Sequence, residues 1–81
     1  MAKWEIEYKG HKIEVRTRPN SRLTVDGEVQ DETFGFGTRS RLWGRIKSGD
    51  GEGEQIRASV GGEWFSYSCA VFIDDTQVFR T

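Results

Sequence analysis

Apolar and polar side chains alternate with a period of two along almost the whole chain, and nothing else in the sequence restricts its fold as strongly. Trp4, Ile6 and Tyr8 alternate with Lys3, Glu5, Glu7 and Lys9, and Ile13, Val15 and Thr17 with Lys12, Glu14 and Arg16. Leu23 and Val25 alternate with Arg22, Thr24 and Asp26, and Ile56, Ala58 and Val60 with Gln55, Arg57 and Ser59. A last long run sets Phe65, Tyr67, Cys69, Val71 and Ile73 against Ser66, Ser68, Ala70 and Phe72. Successive side chains of an extended strand point to opposite faces, so these runs read as half-buried antiparallel strands. No window carries apolar residues at the three-and-four spacing of an amphipathic helix.

Short turn words separate the runs: Lys9-Gly10, Pro19-Asn20, Asp26-Gly27, Gly61-Gly62 and Asp74-Asp75. Most suit the positive φ angles of tight hairpins. Two longer breaks remain, Phe34-Gly35-Phe36-Gly37 and the glycine-rich stretch from Ser48 to Gly53. The expectation is an all-β chain of about eight antiparallel strands joined mostly by hairpins, as a small β-sandwich or partly closed barrel. Its 81 residues form a single domain, residues 1–81, whose low apolar content of 35% is offset by the large area of its aromatic side chains.

Two details are left open by the pattern. A two-residue turn at Asp26-Gly27 pairs Thr24 with Val29 and sends Val29 outward, whereas a bulge or a longer loop returns it to the core. The words Leu23-Thr24-Val25-Asp26-Gly27 and Val71-Phe72-Ile73-Asp74-Asp75 also look alike. Duplication and shared hairpin chemistry both produce such a likeness.

Charged residues make up 31% of the chain and nearly cancel, at a net charge of −1. That balance excludes a surface built throughout to attract nucleic acid or anionic membrane, so any such role requires local segregation. Segregation is present. Residues 33–49 contain Arg39, Arg41, Arg45 and Lys47 and no acid, while Asp50, Glu52 and Glu54 follow with only glycines between them. On a strand, Arg39, Arg41, Trp43, Arg45 and Lys47 share one face, with Leu42, Gly44 and Ile46 behind them facing a core. Arginines at strand spacing neutralise phosphates while an indole stacks on a base, which makes this face a candidate polyanion or acidic-partner site. Ordinary hairpin design, with the acidic loop folded back to neutralise the arginines, accounts for the same residues.

A second candidate lies on the terminal hairpin. A tight turn at Asp74-Asp75 pairs Val71 with Val78 and Ala70 with Phe79, so that Trp64, Phe72 and Phe79 share the face opposite the main apolar stripe. Such a patch is either covered by another strand or serves a partner or a second copy of the chain. His11, the only histidine, lies beside a turn with no evident nucleophile and reads as structural. Cys69 sits mid-strand on the apolar face and reads as a small hydrophobe, although a pairing with His11 stays open. Asp50, Glu52 and Glu54 do not form a calcium loop: its sixth position holds Gln55 rather than glycine, and its twelfth holds Gly61. Phe34-Gly35-Phe36-Gly37 lacks the lysine and hydroxyl of a phosphate loop and suits packing or a stacking platform. No metal, cofactor or catalytic group is expected.

The hairpin Tyr8-Lys9-Gly10-His11-Lys12-Ile13-Glu14-Val15, the strand-turn Leu23 to Gly27 and the strand Tyr67 to Ile73 with its Asp74 turn resemble, in that order, the Fas apoptosis inhibitory molecule family. Where that family favours Asn-Gly, this chain has Asp26-Gly27 and Asp74-Asp75. The resemblance implies a compact β-sandwich of antiparallel strands that acts without catalysis, through protein contacts in the cytosol. A lone cysteine and the lack of a membrane-length apolar run agree with a cytoplasmic protein. The expected function is therefore a non-enzymatic protein-interaction module using exposed sheet faces, by binding another protein or self-association. The alternative is polyanion or single-stranded nucleic-acid binding around Trp43.

Overall fold

A computed structural model describes residues 3–17, 20–33, 39–63 and 66–81, with the side chains of residues 39, 62, 63, 66 and 67 left aside. Eight strands follow in order: β1 (Lys3–Tyr8), β2 (His11–Arg16), β3 (Ser21–Val25), β4 (Glu28–Thr33), β5 (Arg39–Arg45), β6 (Gln55–Glu63), β7 (Ser66–Ile73) and β8 (Thr76–Arg80). They form two four-stranded antiparallel meanders, β1-β2-β3-β4 and β5-β6-β7-β8, each in chain order. Among the described residues, no backbone ladder joins the two sheets, so the architecture is a sandwich rather than a barrel. Among the described residues, no helix is long and apolar enough to cross a membrane.

Alternation chose which face each sheet buries. Ile13, Val15, Leu23 and Val25 of the first sheet meet Leu42, Ile46, Ile56, Ala58, Val60, Cys69, Val71 and Ile73 of the second in one buried cluster. Trp4, Ile6, Tyr8 and Phe79 pack against its margin. Fully burying a side chain of the size of leucine or isoleucine contributes about 1.5–3 kcal/mol, and no other source of stability in so short a chain is comparable.

Three hairpins use turns in which both central residues have positive φ: Lys9 and Gly10 (49° and 81°), Asp26 and Gly27 (51° and 82°), and Asp74 and Asp75 (48° and 67°). These are the mirror-image turns whose twist matches that of the flanking strands. Gly61-Gly62 is not a turn. Gly61 pairs with Ser68 and Gly62 with Tyr67, and the β6–β7 ladder runs on to Glu63 and Ser66. Glycine is tolerated in extended backbone, so its presence alone did not mark the end of the strand. Pro19 of the expected Pro19-Asn20 turn, and all of Phe34-Gly35-Phe36-Gly37, lie outside the described residues.

The likeness between the two hairpin words extends to a repeated structure. Val25↔Glu28, Thr24↔Val29 and Leu23↔Asp31 in β3–β4 recur as Ile73↔Thr76, Phe72↔Gln77 and Val71↔Phe79 in β7–β8. Each hairpin therefore has a bulge at the same place, at Gln30 and at Val78. The neighbouring strands also correspond: Ile6↔Ile13↔Val25 matches Gly44↔Ile56↔Ile73. Even the brace at the turn is repeated. Asp26 Oδ1 accepts from the Lys12 N–H at 2.9 Å while the Asp26 N–H donates to the Lys12 carbonyl at 2.8 Å. Asp74 makes the same pair of bonds with Gln55, at 2.9 and 3.0 Å.

The bulges decide two questions that turn chemistry left open. Val29 points outward and is 51% exposed, because the two-residue turn holds and the bulge comes after it. Phe79 is a correction. The extra residue at Val78 sets Phe79 opposite Val71, on the core side, rather than opposite Ala70 on the outer face with Phe72. At the seam between the sheets, the Trp43 N–H donates to Asp31 Oδ2 at 2.9 Å. A Cβ on Gly44 would lie 3.0 Å from Leu23 Cδ2 and from Gln30 Cβ. Close approach of β5 to the first sheet thus requires the missing side chain.

Two substitutions test this frame by urea denaturation. Gly44→Ala is expected to lower stability by about 1–3 kcal/mol, because the fully buried Leu23 cannot yield. Asp75→Gly is expected to raise it by about 0.5–1 kcal/mol, because glycine adopts this positive φ without strain.

Candidate functional site

The outer face of the second sheet gathers the sequence-predicted cationic residues and adds others from strands distant in sequence. β5 contributes exposed Arg41, Trp43 and Arg45, with Leu42 fully buried behind them. Trp43 pairs with Arg57 of β6, which pairs with Phe72 of β7. The Arg57 guanidinium lies 5.7 Å from the Trp43 ring centre and 4.6 Å from that of Phe72, so a cation is held between two aromatic rings across three strands. Arg80 joins the same face through its pairing with Ala70. The side chain of Arg39 lies outside the described residues. Lys47 falls beyond the end of β5 and makes an ion pair with Glu28, across the seam, instead of continuing the row.

The internal repeat supplies a comparison within the molecule. The first sheet's outer face carries Lys3, Lys12, Arg16 and Arg22 against Glu5, Glu7, Glu14 and Glu32, and most of these charges are cross-linked. Lys3 reaches Glu5 (3.1 Å) and Glu14 (3.6 Å), Lys12 reaches Glu5 (3.7 Å), Arg16 reaches Glu14 (2.8 Å) and Arg22 reaches Glu32 (2.7 Å). The Arg22 hydrogen bond holds Glu32 below its ordinary pKa, and Lys3 does the same for Glu5. At the matching register positions of the second sheet, Glu5 is replaced by Trp43, Glu7 by Arg45, Glu14 by Arg57 and Glu32 by Arg80. Among the described residues, no carboxylate pairs with Arg41, Arg45 or Arg80. Arg57 alone has one, the exposed Asp75 at 3.7 Å.

The acidic loop does not fold back on this face. Glu54 Oε1 accepts from the Tyr8 hydroxyl at 3.2 Å and from Lys9 Nζ at 3.1 Å, drawing the loop to the β1–β2 turn. The Asp50 carbonyl accepts from His11 Nε2 at 2.7 Å, while His11 Nδ1 meets Asp26 Oδ2 at 2.6 Å. Both ring nitrogens therefore face acceptors, and only the imidazolium can donate to both. The Asp26 hydrogen bond first, and the Asp50 carbonyl second, raise the His11 pKa, and His11 in turn lowers that of Asp26. His11 is a buried pin joining β2, the β3–β4 turn and the β5–β6 loop.

The terminal patch is dispersed. Phe79 has turned to the core, Phe72 has the Arg57 guanidinium over its ring, and Trp64 lies outside the described residues. Cys69 is buried and pairs with Val60, four rungs along β7 from the end that carries Ile73 and the Asp74 turn. Burial pushes its thiol up to about 11, which leaves no thiolate at neutral pH. Its backbone is tied to the C-terminal residue: the Cys69 N–H donates to Thr81 Oγ1 at 3.1 Å and the Thr81 N–H to the Cys69 carbonyl at 3.0 Å. Among the described residues, no group of three or more His, Cys, Asp or Glu is placed to hold a metal ion.

The His11 pin has a definite pH signature. Its folded pKa lies above 6.5, so its contribution is complete below that value and is lost as pH rises through the folded pKa. Urea midpoints between about pH 5.5 and 8.5 are expected to fall for the wild type and to stay flat for His11→Gln. The Asp26 contribution is lost at the other end, as pH falls below 3.8 through its lowered pKa. No family model matches the chain, nor does any curated protein or solved structure.

Proposed function

We propose that this protein is a non-enzymatic binding module that holds a polyanion on the outer face of its second sheet, through Arg41, Trp43, Arg45, Arg57 and Arg80. The observation that carries this reading is the contrast between two faces built on the same frame. One neutralises its own charges, while the other replaces each glutamate with an arginine or a tryptophan and, among the described residues, leaves three arginines without a carboxylate. Unpaired arginines crowded on one face repel each other, so such a face is costly to the fold alone and favours an anionic ligand. The buried, unreactive thiol suits a reducing cytoplasm.

A second reading keeps the face and changes the ligand. Asp75 already sets a carboxylate against Arg57, and an acidic protein segment would make the same contact at Arg41, Arg45 and Arg80. The protein-interaction role expected from the sequence, on the basic strand, the terminal hairpin or both, then rests on this sheet face.

Fluorescence titration of Trp43 with a polyanion tests the proposal. Three or four neutralised phosphates give a log–log slope of affinity against salt of about −2 to −3. Arg41→Glu with Arg45→Glu is expected to weaken binding at least about tenfold, whereas Lys12→Glu with Arg16→Glu on the other sheet leaves it unchanged. Binding with no salt dependence, or an equal loss from both double variants, would refute the assignment of the face.

A further inference from the structure

We infer, resting on the polyanion reading, that the ligand is a single-stranded nucleic acid and that the face holds two successive nucleotides, one on each side of Arg57. Two hollows flank the Trp43–Arg57–Phe72 stack. The first, of about 380 Å³, is lined by Gln30, Trp43, Arg45, Lys47 and Gln55. The second, of about 350 Å³, is lined by Ser59, Ser68, Phe72, Gln77 and Arg80 among others. Each has an aromatic wall, an arginine and at least one carboxamide.

That combination is more than anion binding requires. A phosphate needs the arginine, whose fork matches its oxygens. An aromatic ring takes the face of a base, whatever its sequence. A carboxamide offers a donor and an acceptor side by side, as the edge of an unpaired base does. Sheet-based readers of single strands stack two or three bases on such rings. Trp43 and Phe72 stand two strands apart, about 10 Å, with the Arg57 guanidinium between them. Neighbouring bases would therefore each meet their own ring instead of stacking on one another.

The first hollow is shaped by two backbone features of the seam. The bulge at Gln30 sets its side chain beside β5, so close that a Cβ on Gly44 would lie 3.0 Å from Gln30 Cβ. Bulges and strand glycines recur where a side chain is re-aimed or a ligand approaches closely. The matching positions of the first sheet lack the rings, the arginines and the glycine: Glu5 and Thr24 stand in place of the rings, Glu7 and Glu32 in place of the arginines, and Ile6 in place of Gly44.

The test titrates the isotope-labelled full chain at low salt with a thymidine tetranucleotide, thymidine monophosphate and inorganic tripolyphosphate. The tetranucleotide is expected to move the side-chain amide signals of Gln55 and Gln77 together, and the monophosphate to bind at least about fivefold more weakly. Trp43→Ala removes an exposed ring and leaves the core intact. It is expected to weaken the tetranucleotide at least about fivefold and tripolyphosphate less than about twofold, and Gln77→Ala repeats the comparison at the second hollow. If tripolyphosphate binds as tightly as the tetranucleotide with the same variant profile, the nucleotide assignment falls and the polyanion reading survives. If neither binds, both fall, and binding of a glutamate-rich peptide alone would assign the face to a protein partner.

Discussion

Each four-stranded meander has one apolar face, and among the described residues the apolar face of the other meander covers it. This constraint organises the molecule. Ile13, Val15, Leu23 and Val25 have no partners within their own sheet large enough to exclude water, and the same holds for Leu42, Ile56, Val71 and Ile73. Burial against each other is what makes eight short strands stable together. It also fixes which faces are left over. The inner faces are committed to packing, and the seam is tuned to a close approach by Gly44. The outer faces are free to diverge because almost nothing in the fold depends on them.

They diverge in chemistry while keeping the same frame. The first sheet spends its outer positions on interlocked lysine, arginine and glutamate pairs, which are individually weak at exposed sites but leave little net field. The second replaces the glutamates and concentrates positive charge around a ring–guanidinium–ring stack. The acidic residues that follow β5 in sequence are held elsewhere, at the corner where His11, Tyr8 and Lys9 grip the 50–54 loop. A near-zero net charge therefore coexists with a strongly cationic face. The grip matters for the face as well, since the loop continues directly from β5.

Strand positions and core membership were legible in the alternation because the period of two is unbroken in the strands other than β4 and β8. Bulges were not. A bulge adds one residue and reverses parity beyond it, with no residue type that announces it, so Phe79 was assigned to the wrong face. Gly61-Gly62 failed for the opposite reason, since a turn-forming word also fits an extended strand. The row Arg41, Trp43 and Arg45 was readable from spacing. Arg57, Phe72 and Arg80 were harder to add, because their membership depends on cross-strand register. The likeness of the two Asp-turn words was visible, but the matched bulges and braces that make it a structural repeat were not.

The sequence by itself determined the all-β class, the hairpin order, the buried stripe and the local excess of positive charge in β5. Each follows from neighbours within a few residues, through side-chain alternation and turn geometry. Only the tertiary structure decided where the acidic loop goes, that both His11 ring nitrogens face acceptors on Asp26 and the Asp50 carbonyl, and that, among the described residues, three arginines from two strands, β5 and β8, meet on one face without carboxylates. Those outcomes depend on pairings between residues tens of positions apart. Several registers and loop paths are compatible with the same local pattern, and the shared burial of the two sheets selects one of them.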